Sequence, residues 1–124
     1  MFSVSDQAVC ISGASRGLGK GLARMFAEYG AHVVIASYDA TELAQAGAEL
    51  AGDGLPAMMV VANVSDPKSS ASLVEQTLQK FGRIDTMVCN AGIDKIKAAE
   101  DYESDEWDQI LDANLKGAYF CAKA

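Results

Sequence analysis

The sequence is poor in the features that would tie it to nucleic acid, to a bilayer or to a metal. Ten of its 124 residues are Lys or Arg, against seventeen Asp and Glu, for a net charge of −7. The ten basic residues form no block, and binding a phosphate backbone needs a concentrated basic patch. Nucleic acid is therefore not an expected partner. No apolar run approaches the roughly 20 residues that span a membrane as a helix. The chain does not open on the charged, apolar and small-residue pattern of a secretory leader. Cysteine is scarce: Cys10, Cys89 and Cys121 stand far apart and form no Cys-x-x-Cys pair. Metal clasps and disulfide frameworks are not expected. Cys10 and Cys89 fall in apolar runs and read as small buried residues of a cytoplasmic protein. Long linkers, low-complexity segments and repeats are missing too.

What is present is a regular alternation of strand and helix. Half of the residues are hydrophobic, enough for one core, and the length suits a single domain over residues 1–124. Short apolar runs at 7–12, 32–36, 57–62 and 85–89 read as strands buried on both faces. Between them lie helical patterns. Leu18, Leu22, Met25, Phe26 and Tyr29 recur at helical spacing, and Gly30 closes that helix. Asp39, with Glu42 three residues later, resembles a capping box for a helix to about Ala51. Asp66-Pro67 suits an N-cap and first helical position. Leu73, Val74, Thr77, Leu78 and Phe81 then share a stripe that ends at Gly82. Ser104 starts a last helix carrying Trp107, Ile110, Leu111, Leu115, Ala118 and Ala122. Four such strands alternating with helices predict an α/β fold of Rossmann type, a parallel sheet with helices on both faces. The pattern stops after the fourth strand and its following helix.

The chemical signal is Ser12-Gly13-Ala14-Ser15-Arg16-Gly17-Leu18-Gly19, between the first strand and the first helix. A strand that feeds a helix through glycines leaves backbone N–H groups pointing outward. With the helix dipole they make an anion site suited to a pyrophosphate. Two other phosphate loops are excluded. A Walker A loop needs Gly-x4-Gly-Lys-Ser/Thr, but Gly21 follows Gly19-Lys20 and Ala14 holds the first Gly position. The Gly-x-Gly-x-x-Gly fingerprint fails because Leu22 stands at its third glycine.

The spacing that fits is Gly-x3-Gly-x-Gly, and here the sequence resembles the short-chain dehydrogenases/reductases, whose motif is Thr-Gly-x3-Gly-x-Gly. Ser12 stands at the Thr position and keeps the hydroxyl. Asn63-Val64 follows the third strand, as in some ketoreductases. Gly82-Arg83-Ile84-Asp85 matches the approach to the fourth strand, and Asn90-Ala91-Gly92 matches the end of the family's Asn-Asn-Ala-Gly, with Cys89 in place of its first Asn. Trp107 and Asn114-Leu115-Lys116-Gly117 match the next helix. Within the family the run most resembles β-ketoacyl-carrier-protein reductases and related sugar or polyol dehydrogenases.

The resemblance implies an NAD(P)-dependent oxidoreductase of carbonyl or alcohol substrates, present as its cofactor-binding half. Gly13, Ser15, Arg16, Gly17, Leu18 and Gly19 would wrap the phosphates and ribose. Asn63 and Val64 would flank the adenine, and Asn90, Ala91 and Gly92 would line the nicotinamide side. Asn63 could instead cap a turn, and Asn90 could simply tie neighbouring strands. Ser37 ends the second strand, where an acidic residue would accept from the ribose 2′-OH and favour NAD. Tyr38 follows, where NADP-binding members often carry Arg. Arg16 breaks the tie towards NADP, because a charge-assisted bond to phosphate is worth about 1.5–3 kcal/mol. NAD remains the second choice.

Asn114 stands at the Asn of the family's catalytic tetrad. The Ser, Tyr and Lys of that tetrad are expected beyond Ala124, together with the substrate-binding region. Tyr119 and Lys123 have the Tyr-x3-Lys spacing but follow Asn114 by only five and nine positions. They belong to the same helix, where Tyr119 reads as a packing aromatic. The resemblance therefore implies dinucleotide binding without turnover in this chain alone. A small carbonyl or alcohol substrate is expected only in a full-length form, as is a homo-oligomer. The alternative is a non-catalytic nucleotide-binding or regulatory module.

Overall fold

The computed structural model describes residues 3–124. Its strands are β1 (Ala8–Ser12), β2 (His32–Ser37), β3 (Met58–Val61) and β4 (Thr86–Val88). Its α-helices are α1 (Gly17–Glu28), α2 (Ala40–Gly52), α3 (Pro67–Phe81), α4 (Ser104–Leu111) and α5 (Gly117–Lys123), with a 3-10 turn at Ala99–Asp101. The four strands form one parallel sheet in the order β3-β2-β1-β4. Ile11 lies beside Ile35 on one side and Val88 on the other. The Rossmann-type reading is thus correct, with strand bounds shifted by a residue or two.

Every residue of β1 is buried, because helices cover both faces of the sheet. The pleat sends alternate residues to opposite sides. Val9, Ile11, Val33 and Ile35 pack under α1 and α2 with Ala23, Leu43, Ala46 and Leu50. Cys10, Val34, Ala36, Val60 and Ala62 pack on the other side with Leu73 of α3. Burying an aliphatic side chain of this kind contributes about 1.5–3 kcal/mol, so these two layers hold the strand ends where the site lies.

The helix ends follow the sequence. Asp39 and Asp66 cap α2 and α3 by accepting from the N–H groups of Glu42 (2.9 Å) and Lys68 (3.0 Å). Gly82 ends α3 in the left-handed conformation. At α4 the cap is Glu103, in a reciprocal capping box with Glu106.

Two expected stripes are wrong in detail. In α1, Leu22 and Phe26 pack inward beside buried Gly19 and Ala23, but Leu18, Met25 and Tyr29 are exposed. Small residues let that helix approach the sheet closely, which leaves the larger side chains outside. The last helix is also not continuous. A π-helical turn at Asp112–Lys116 joins α4 to α5. Ala113, Gly117 and Cys121 are its buried residues, while Trp107, Leu111, Leu115 and Tyr119 face solvent. No helix among the described residues is long and apolar enough to cross a membrane.

Candidate functional site

The loop after β1 is built around a close approach of backbones. Gly13 adopts φ +66°, and a Cβ there would lie 2.7 Å from the Cα of Ala91. Both facts demand glycine. Gly19 is crowded in the same way by the Gly13 carbonyl and the Asn90 side-chain amide.

Ser12 and Asn90 tie this loop to the one after β4. The Ser12 hydroxyl, almost fully buried, donates to the Val88 carbonyl and accepts from the N–H groups of Asn90 and Ala91, both at 3.1 Å. Asn90 Nδ2 donates to the carbonyl oxygens of Ser12 (3.1 Å) and Gly13 (2.9 Å). Asn90 therefore does join neighbouring strands. At the opposite end of those strands Asp85 accepts from the Ala8 N–H at 2.8 Å. The Arg83 guanidinium bonded to Asp85, and then that N–H, hold its carboxyl below the usual range.

Helix α1 begins just beyond the loop. Its N-cap, Arg16, is extended and makes no side-chain cap, and its first turn holds no acidic residue. By contrast, α2, α3 and α4 are capped by Asp39, Asp66 and Glu103. The start of α1 thus offers backbone N–H groups that no capping side chain occupies, at the positive end of the helix dipole, which fits a phosphate group.

A cavity of about 420 Å³ runs along the strand ends in front of this helix. Gly13, Ser15, Arg16, Leu18, Gly19, Ser37, Asn63, Val64, Asn90, Ala91 and Gly92 all line it. So eleven of the sequence-derived residues converge. Gly17 sits on the loop in the left-handed region, φ +55°, but does not line the cavity. The volume lies within the range of about 300–1,000 Å³ usual for small-molecule sites.

Asn63 both lines the cavity and caps a turn, its Oδ1 accepting from the Ser65 N–H at 3.0 Å. Val64 is buried against Gly117, where a Cβ would meet Val64 Cγ2 at 2.8 Å. Asn114 stands inside the π-helical turn. Its Oδ1 accepts from the Ile93 N–H (2.7 Å) and its Nδ2 donates to the Ile93 carbonyl (2.8 Å). It anchors the segment after Gly92 rather than lining the cavity, which its neighbour Ala113 does.

Sequence reasoning missed Glu42, which lines the cavity beside Ser37 and Tyr38. Its Oε2 accepts from the Ser15 hydroxyl at 3.2 Å, and its Oε1 accepts from Arg16 Nη1 at 3.4 Å. The signal was there in Asp39 and Glu42, but it pointed to a capping box. Only half of that box forms: the Asp39 N–H goes to Ser37 Oγ instead, at 3.2 Å.

Tyr119 and Lys123 do not line the cavity. Lys123 Nζ lies 5.6 Å from the Phe120 ring centroid. Tyr119 is 62% exposed, so it is no packing aromatic within this chain. Cys89 is also exposed, not buried as its apolar neighbours imply, since β4 is an edge strand with one side open. Cys10 and Cys121 are buried. Burial pushes the Cys10 thiol up to about 12, which removes it as a nucleophile.

Comparison with known proteins gives the same picture. The family model described as short chain dehydrogenase matches residues 7–124. A 3-oxoacyl-acyl-carrier-protein reductase of Synechocystis is 36% identical over 125 residues, covering all of this chain and 51% of that protein. The oxidoreductase UcpA of Escherichia coli K12 is 36% identical over 124 residues, covering all of this chain and 47% of its own length. The crystal structure of a 3-ketoacyl-(acyl-carrier-protein) reductase from Brucella melitensis, complexed with NADH, superposes with a TM-score of 0.89 at 37% identity. That match covers 98% of this chain and 49% of the other. The chain spans about half the length of the relatives it matches.

Proposed function

The chain belongs to the short-chain dehydrogenase family, and on that footing we propose that it is a nicotinamide dinucleotide-binding unit. The observation that carries this reading is the uncapped start of α1 opening into the cavity beside the Gly13–Gly19 turn. Gly13, Ser15, Gly17, Leu18 and Gly19 would hold the pyrophosphate through backbone N–H groups and the helix dipole. Ser37 and Arg16 would meet the adenosine ribose, Asn63 and Val64 the adenine. Asn90, Ala91 and Gly92 would take the nicotinamide end. The bound dinucleotide would supply the hydride chemistry. Arg16, the one guanidinium lining the cavity among the described residues, favours NADP, with NAD also accepted. The unpaired thiols fit the reducing cytoplasm.

In a protein of the relatives' full length, the reaction served would be hydride transfer between a carbonyl and an alcohol. For these 124 residues alone the reading is binding without turnover. Among the described residues the ionisable groups lining the cavity are Arg16, Tyr38 and Glu42, all towards the β2 side. None follows β4, where Asn90, Ala91, Gly92 and Ile93 lie. A positioned general acid or base contributes roughly 10²–10⁴-fold, and this end has none to offer. Asn114 serves there as a positioning residue through Ile93.

Titration of the chain with NADPH and NADH, followed by nicotinamide fluorescence and calorimetry, tests the reading. Saturable binding of either, with no carbonyl-dependent oxidation, is expected. Absence of binding by both overturns it. Turnover that disappears in Tyr119→Phe would overturn the exclusion of that residue from the chemistry.

A further inference from the structure

Glu42 occupies the third position of α2, where a capping-box carboxylate would turn back to its own helix. The Asp39 N–H is already held by Ser37 Oγ, so the Glu42 carboxylate crosses to the glycine-rich loop instead. There it accepts from Ser15 Oγ and from the Arg16 guanidinium. An acidic group thus stands at the end of β2 after all, supplied by the next helix rather than by the strand.

We propose that Glu42 is a specificity-determining residue, which opposes a 2′-phosphate on the adenosine ribose by competing with it for Arg16 and Ser15. This rests on the reading of the cavity as a dinucleotide site. Arg16 and Glu42 then pull in opposite directions. The guanidinium favours a phosphate, while the carboxylate repels it and occupies the donors it would use. Their side chains are 75% and 40% exposed. An ion pair so open to water is weak, so it can be exchanged for a better partner. An unphosphorylated ribose asks for no such exchange, because its hydroxyls can donate to Glu42.

The pair is also the first rung of a ladder between α1 and α2. Lys20 pairs with Glu49, and Arg24 pairs with Asp53 at 2.5 Å. A purely structural role for Glu42 is therefore the rival explanation, and Glu49 provides its control because it does not line the cavity.

The experiment compares dissociation constants of NADPH and NADH for the full chain and for Glu42→Gln, Glu42→Ala, Arg16→Ala and Glu49→Gln, with circular dichroism to confirm folding. Both Glu42 variants are expected to raise the preference for NADPH over NADH by roughly tenfold. Arg16→Ala is expected to lower it, and Glu49→Gln to leave it within about twofold. The gain in the Glu42 variants should shrink as salt is raised. If both dinucleotides bind and neither Glu42 variant moves the ratio, the proposal is wrong while the dinucleotide reading stands. A ratio shifted equally by Glu49→Gln would also sink it, since the ladder as a whole would then be responsible. If no form binds either dinucleotide, the reading of the cavity fails and the proposal falls with it.

Discussion

Asn90 Nδ2 donates to the carbonyl oxygen of Gly13 at 2.9 Å, joining residues 77 positions apart in the chain. With its second bond, to the Ser12 carbonyl, this amide sets the loop after β1 against the loop after β4. Asn90→Ala removes both bonds and leaves two partly buried carbonyls unpaired. A loss of about 1–3 kcal/mol is expected, together with weaker dinucleotide binding. Asn90→Asp should be at least as damaging, because a carboxylate cannot donate to those carbonyls. Urea unfolding and an NADH titration check both. An unchanged unfolding midpoint in Asn90→Ala would show that the tie carries no stability.

Ser12 separates hydroxyl chemistry from size. Its Oγ accepts from two N–H groups at a site almost sealed from solvent. Ser12→Ala leaves the Ala91 N–H without its acceptor, while the Asn90 N–H keeps the Val88 carbonyl at 3.0 Å, and should cost about 1–3 kcal/mol. Ser12→Thr keeps the oxygen, at the position where the family carries Thr. It should therefore retain most of the wild-type stability in thermal unfolding. Equal losses in the two variants would mean that the site reads volume and not the hydroxyl.

Gly13→Ala should be worse than either. The new Cβ would meet the Ala91 Cα at 2.7 Å, and the φ of +66° is strained for any side chain. The expected loss is at least about 2 kcal/mol, measured by urea unfolding. A fully stable variant would mean that the two loops can separate freely, contrary to the Asn90 tie.

The parts of the site legible in the sequence share one property: each is fixed by its own strand end. Gly13, Asn63 and Asn90 follow β1, β3 and β4, and a parallel sheet brings such ends together. Glu42 was hidden because its partner choice depends on Ser37, which satisfies the Asp39 N–H from another direction. The stripe of α1 failed for a related reason. Periodicity finds large apolar residues, of which Leu22 and Phe26 do pack inward, but the fully buried positions are Gly19 and Ala23, which carry almost no hydrophobic signal. The exposure of Cys89 was hidden because its neighbours read as a buried strand, whereas among the described residues β4 has only β1 beside it.

Acid should loosen the segment that leads into α4. Glu106 pairs with Lys97 at 2.5 Å and accepts from the Glu103 N–H at 3.1 Å. The Lys97 ammonium, and then that N–H, lower its carboxyl from about 4.5 to about 2. The folded state therefore holds a charge that the unfolded chain gives up more readily to a proton. The contribution is complete above the ordinary value and is lost as pH falls towards about 2. Glu106→Gln should show a flatter fall of stability across that window than the parent chain. The difference matters more than either curve, because Asp85 is lowered as well. Fluorescence of Trp107, the adjoining residue, follows the local change. Parallel curves would show that the pair is not coupled to folding.

Self-association should run through the last helical segment. Trp107, Leu111, Leu115 and Tyr119 recur every fourth residue and are 60%, 38%, 67% and 62% exposed. Their helix packs on the molecule through Ala113, Gly117 and Cys121, so the larger apolar side chains form a face with nothing against it among the described residues. Beside it β4 is a sheet edge, a second template for pairing. Contiguous exposed apolar side chains are a template for association. The chain is expected to sediment as a concentration-dependent mixture of monomer and larger species. Leu115→Glu places a charge in the middle of the face, at a position too exposed to cost much stability, and should shift the distribution to monomer. If association persists in that variant, the edge of β4 is the template and the helical face is not. A single monomeric boundary for the parent chain at every concentration would exclude both surfaces.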